Sequence, residues 1–68
     1  MGSVARITHI SARSDAGFDD AIRLGIHRAG ETLRNVPGAW VKDQKVEVSD
    51  GAISSYQVVL EVTFVLDD

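Results

Sequence analysis

Residues 53–66 read Ile-Ser-Ser-Tyr-Gln-Val-Val-Leu-Glu-Val-Thr-Phe-Val-Leu and alternate almost without a break. Tyr56, Val58, Leu60, Val62, Phe64 and Leu66 fall on one side of an extended chain. Gln57, Val59, Glu61, Thr63 and Val65 fall on the other. A period of two is the mark of a β-strand. At ~3.3 Å per residue such a strand runs about 45 Å. A compact chain of 68 residues has a radius of gyration of roughly 11 Å. The strand is longer than its own chain is able to cover, so a further surface has to cover the remainder.

The length allows a single domain, residues 1–68, with a small core, and small domains usually need a staple. There is no cysteine, which excludes a disulfide and a thiolate zinc site. His9 and His27 are too few for a metal cluster and read as surface or edge residues, and no metal ligand set is expected. Oligomerisation is the remaining staple. A composition 44% hydrophobic but only 6% aromatic fits burial spread over several subunits. A net charge of −3 argues against a nucleic-acid partner, which calls for a basic face. No apolar run reaches membrane-spanning length, and no charged-then-apolar leader opens the chain. Met1-Gly2 fails the myristoylation pattern because Arg6 stands where Ser or Thr is needed. The chain reads as cytoplasmic.

In chain order, Val4–Ile10 is a β-branched run and a first strand. Ser14 suits a helix N-cap, with Asp15 placed to favour the helix dipole. From Asp15 to about Val36, Phe18, Ile22, Ile26, Ala29, Leu33 and Val36 recur at helical spacing. Ala21, Gly25 and Ala29 form a stripe of small residues beside them, which allows close approach to a neighbouring backbone. Asp15, Asp19 and Asp20 come early and Arg23, Arg28 and Arg34 late, with Asp19 and Arg23 spaced as an i,i+4 pair. Pro37-Gly38 ends the helix. Ala39–Val48 is a second strand, and Asp50-Gly51 between two strands is a hairpin turn. Counting outward from that turn, Val41 faces Leu60, Trp40 faces Glu61, Lys45 faces Tyr56 and Gln44 faces Gln57. Trp40, Lys42, Gln44, Gln57, Val59 and Glu61 then share one face, while Val58, Leu60 and Val62 meet the helix. The acidic pair Asp67-Asp68 is a solvated end. The fold class is α+β: a β-α-β-β unit with a three-stranded antiparallel sheet curled around one helix, one sheet face uncovered. Uncovered apolar sheet marks an interface or a ligand site.

The chemistry on offer is sparse. No Ser-His-Asp set, glycine-rich phosphate loop or HExxH motif is present, so no enzyme is expected. Trp40 is a stacking platform or an interface plug. Gln57 is a structural amide or a reader of a heterocycle's hydrogen-bonding edge. Asp43 and Glu47, four apart on one strand face, touch a ligand or ion or are merely solvated. Lys45 meets a phosphate or is a solvated charge.

Several separated segments together resemble the dodecin family of small flavin-binding proteins. They are Ser14-Asp15-Ala16-Gly17, the run Arg-Ala-Gly-Glu-Thr-Leu-Arg at 28–34, the strand Val-Lys-Asp-Gln-Lys-Val-Glu at 41–47, and Tyr-Gln-Val-Val-Leu-Glu-Val-Thr-Phe at 56–64. The resemblance covers nearly the whole chain. It implies a hollow homododecameric shell that holds riboflavin or FMN in pairs at subunit contacts, storing and buffering the flavin and quenching its photochemistry. It also implies a tryptophan stacked on each flavin ring and a glutamine, here Gln57, on the ring's polar edge. In some members the positions matching Asp43 and Glu47 lie near the flavin's ribityl chain or an ion. One departure stands out: without gaps, the family's tryptophan position falls on Gly38, and Trp40 comes two residues later. The alternative is therefore a shell of the same fold that binds calcium or another ion, or serves structurally, without flavin.

Overall fold

The structure, a computed structural model, describes residues 2–33 and 35–66. Four elements follow in order: β1 (Ala5–Ser14), α1 (Phe18–Thr32), β2 (Gly38–Ser49) and β3 (Ala52–Val65). They form one sheet in the order β1-β3-β2, with both neighbours antiparallel to β3. The long alternating strand is thus the central one. Its even-numbered side chains drive the fold: Val58, Leu60 and Val62 are fully buried. Each such burial stabilises the fold by about 1.5–3 kcal/mol relative to exposure.

The helix lies across β1 and β3 and leaves β2 beyond it. Its small-residue stripe, Ala21, Gly25 and Ala29, is the buried face. A Cβ on Gly25 would sit 2.7 Å from Leu60 Cδ1 and 3.2 Å from Ala12 Cβ. The glycine therefore sets how closely the helix approaches the sheet. Phe18, Ile22, Leu33 and Val36 close the sides of the core with Ile10 and Ala12 from β1. Phe18 also meets Tyr56 edge-on, with ring centroids 5.1 Å apart.

The elements differ from their sequence-based limits by more than one residue at three places. β1 continues past Ile10 to Ser14. Ser14 is then no helix cap: it ends the strand, and its buried hydroxyl donates to Asp20 Oδ2 at 2.6 Å and accepts from Ala16 N at 2.9 Å. The capping position is Gly17, in extended backbone and without a side-chain hydrogen bond. The helix ends at Thr32 instead of near Val36. Pro37 disfavours helical backbone before it, and Asn35 takes a left-handed conformation (φ 56°) whose carbonyl accepts from Val65 N at 3.0 Å. The crossover is thereby pinned to the end of β3. Asp19 and Asp20 do occupy the first turn, but the last turn has no base, and the helix's ion pair is Arg28 with Glu31 at 3.8 Å instead of Asp19 with Arg23. Met1, Arg34 and the end Asp67-Asp68 lie outside the described residues.

The described chain measures 54 × 19 × 13 Å, with a radius of gyration of 14.2 Å. Its accessible surface is 5136 Å², against about 4,200 Å² for a compact monomer of this mass. The elongation comes from the β2–β3 hairpin running on where the helix stops. Trp40, Val41, Val48 and Ile53 are exposed along it.

Candidate functional site

The site is made by the register of the hairpin. Asp50 and Gly51 both have positive φ, 53° and 78°, as a tight two-residue hairpin turn requires. From this turn Ser49 pairs with Ala52 and Val48 with Ile53. The pairing then slips: Glu47 meets Ser55, Lys45 meets Gln57, Gln44 meets Val58 and Asp43 meets Val59. It slips back at the far end, where Val41 meets Leu60, Trp40 meets Glu61 and Gly38 meets Thr63. One extra residue on β3, Ser54, is matched by one extra on β2, Lys42. These are two β-bulges, which re-aim the side chains between them.

The consequence is a correction to the pairing counted from the turn. Trp40 with Glu61 and Val41 with Leu60 hold, whereas Lys45 faces Gln57 instead of Tyr56, and Gln44 faces Val58 instead of Gln57. Asp43, Lys45 and Glu47 therefore join Gln57 and Val59 on the side away from the helix. β1 adds Ile7, His9, Ser11 and Arg13 to that side, opposite Thr63, Glu61, Val59 and Gln57.

On this uncovered face Asp43, Gln44, Lys45, Gln57 and Val59 line an open pocket of about 420 Å³. Gln57 lines it from the central strand. Its Nε2 donates to Ser11 Oγ at 2.9 Å, and its Oε1 is buried with no partner. An acceptor left so costs roughly 1–3 kcal/mol. Glu47 stands at the margin, between Lys45 Nζ at 3.5 Å and Arg13 Nη2 at 3.8 Å. Trp40 lies apart. It is 69% exposed and stands opposite Glu61, four residues from Gln57, or about 13 Å along the strand. The structure therefore brings together Gln57, Lys45 and Asp43, puts Glu47 beside them, and leaves Trp40 on the same face outside the pocket.

Level with Trp40, across β3 to β1, lies a second polar group. His9 Nε2 donates to Glu61 Oε2 at 3.0 Å, and Lys42 Nζ is 3.6 Å from the same oxygen. The His9 hydrogen bond, with a smaller contribution from the Lys42 charge, holds the Glu61 carboxyl below its ordinary range; partial desolvation opposes this. Sequence reasoning missed Ser11, Arg13 and the His9–Glu61 pair as site residues. Their signal was the alternation of small or apolar Ile10, Ala12 and Ser14 with polar His9, Ser11 and Arg13, which runs past the Ile10 limit that the sequence suggests for the first strand. Among the described residues no group of three or more His, Cys, Asp or Glu side chains is placed to hold a metal.

Comparison with known proteins agrees with this architecture. The dodecin family model matches residues 4–67. A dodecin of Thermus thermophilus is 34% identical over 68 residues, which is all of this chain and 99% of that protein. Among solved structures, the dodecin from Streptomyces davaonensis superposes with a TM-score of 0.91 at 38% identity, each chain covered in full. The dodecin from Streptomyces coelicolor gives 0.90 at 30% identity, over 97% of this chain and 94% of that one. The β-α-β-β order, the sheet wrapped on one helix and the match along nearly every residue have one reading: the chain belongs to the dodecin family.

Proposed function

We infer that this chain is a flavin-binding protein that stores and buffers riboflavin or FMN, working as a homododecameric shell in the cytoplasm and not as an enzyme. The observation that carries the reading is the Gln57 amide. It holds a buried, unpartnered oxygen on a residue that lines an open pocket, and the family's glutamine reads the polar edge of the flavin ring. An imide N–H arriving there would relieve the unmet acceptor, while Val59 gives the ring an apolar floor. Lys45 and Asp43 flank the pocket for the polar tail, and Glu47 tunes Lys45 through its ion pair. When bound, the flavin would supply a ring whose excited state takes an electron from indole, which is the physical basis of quenching.

Trp40 is the residue that would stack. Because it lies about 13 Å along the sheet from Gln57, the tryptophan covering a ring held at Gln57 would come from a second copy. Excess accessible surface and exposed apolar residues along the hairpin support such a meeting of copies. Among the described residues, no helix is long and apolar enough to cross a membrane.

The test is a titration of riboflavin and of FMN with the purified protein, read by flavin fluorescence. Saturable quenching at micromolar protein is expected, lost in Trp40→Ala with the oligomeric mass unchanged. Unquenched flavin with a large, colourless, calcium-binding protein would favour the shell without flavin, the reading to which Gly38 at the family's tryptophan position lends support.

A further inference from the structure

We propose that the middle of the β2–β3 hairpin has two registers that share both ends, and that only the bulged one builds the pocket around Gln57. The two bulges are of opposite sense. One adds Ser54 to β3, the other adds Lys42 to β2, and the pairing at the turn matches the pairing at the base. Sliding residues 42–47 by one position against β3 would therefore remove both bulges together. Neither the turn at Asp50-Gly51 nor the pairs of Gly38, Trp40 and Val41 would have to move.

In the slipped register, carried inward one for one from Val48–Ile53, Val46 pairs with Ser55, Gln44 with Gln57 and Lys42 with Val59. The side chains around Gln57 become Lys42, Gln44 and Val46 in place of Asp43, Lys45 and Glu47. The three neighbours change from a net −1 to a net +1.

Little in the hydrophobic pattern chooses between the two. Apart from half-buried Val46 and Glu47, every residue of β2 is exposed, and the strand lies outside the helix's cover. Register is weakly specified where both faces of a strand are polar. The bulged state is held by local polar contacts: Ser54 Oγ donating to the Glu47 carbonyl at 3.2 Å, Glu47 between Arg13 and Lys45, and Lys42 on Glu61. The slipped state regains the ladder hydrogen bonds that each bulge interrupts. Ligand held at Gln57 with Lys45 and Asp43 would select the bulged state, a population shift driven by differential contacts.

The register is read without ligand; only the effect on binding rests on the flavin reading. The chain has no cysteine, so paired cysteines report it. Opposed residues on antiparallel strands lie within the Cα separation of about 4.4–6.8 Å that a disulfide needs. Val46→Cys with Tyr56→Cys closes in the bulged register. Val46→Cys with Ser55→Cys closes only in the slipped one, because Val46 and Ser55 lie on opposite faces of the bulged hairpin. Val48→Cys with Ile53→Cys closes in both and controls for folding. Under mild oxidation, with intrachain bonds mapped by mass spectrometry of peptides, all three pairs are expected to close, the Ser55 pair more slowly than the other two. The locked Ser55 form is expected to quench riboflavin at least tenfold more weakly than wild type, and reduction to restore it. A Ser55 pair that stays reduced while the control pair closes would overturn the two-register proposal. A locked Ser55 form that binds riboflavin like wild type would overturn its link to the pocket. If all pairs close and no form quenches flavin, the two registers stand and the flavin reading falls.

Discussion

The two faces of β3 are made from alternate residues of one strand, yet they are specified in different ways. The even face, Val58, Leu60 and Val62, is fully buried beneath a helix whose approach is set by Gly25. Its positions are fixed by packing, where a methylene is felt. The odd face carries Gln57, Val59 and Glu61 in a weave of polar pairs with β1 and β2, with one buried oxygen left unpaired. Packing determines the fold and leaves the other face to register and hydrogen bonding. Substitutions on the first face should therefore act on stability, and substitutions on the second on recognition.

The largest effect belongs to the packed face. Leu60→Ala is expected to cost about 2–5 kcal/mol, a large share of the roughly 3–10 kcal/mol available to a domain of this size. Urea unfolding followed by circular dichroism should show the midpoint collapse; a shift too small to measure would mean that the helix–sheet contact is not the core. Gln57→Leu inverts the outcome. It removes the unmet acceptor and leaves Ser11 open to water, so stability should change by less than about 1 kcal/mol in either direction. Flavin quenching should vanish in the same protein. A Gln57→Leu variant that unfolds readily would make Gln57 a structural residue and blur the contrast between the faces.

The smallest effect is a pH dependence. The Glu61 carboxyl is held below its ordinary value chiefly by the His9 hydrogen bond. A lowered carboxylate contributes stability that is fully present above its unfolded value and is lost as pH falls through its folded value. Thermal unfolding of wild type and Glu61→Gln should differ at pH about 6 and converge toward pH about 3, across the ordinary carboxylate range. The difference should be small and shrink in high salt, because the pair is partly exposed. A gap that widens on acidification would reverse the assigned sign.

What the sequence revealed follows the same division. The long strand, the helix with its Ala21-Gly25-Ala29 stripe and the Asp-Gly turn were legible because burial and turn geometry demand particular residues at those positions. The bulges were not. Residues 42–47 are Lys-Asp-Gln-Lys-Val-Glu, nearly as polar on one alternation as on the other, so no hydrophobic period marks the phase of the strand. Lys45 was therefore placed against Tyr56, while the structure sets it against Gln57. The last residues of β1 are hidden for a related reason: Ser11, Ala12, Arg13 and Ser14 lack the β-branched side chains of Val4–Ile10, and pairing with Tyr56 to Val59 across the sheet makes them strand. The helix is shorter than the spacing suggests because Leu33 and Val36 keep the helical spacing and do pack on the core, but reach it from beyond the helix, Leu33 in extended backbone.

The contrast rests on the uncovered face being a surface where copies meet, and its most direct measurement is the mass of the purified wild-type protein in solution at neutral pH by light scattering. A particle near twelve times the 7.3 kDa chain is the expected result. A stable 7.3 kDa monomer would contradict it, since the exposed hairpin and the face around Gln57 would then need no cover.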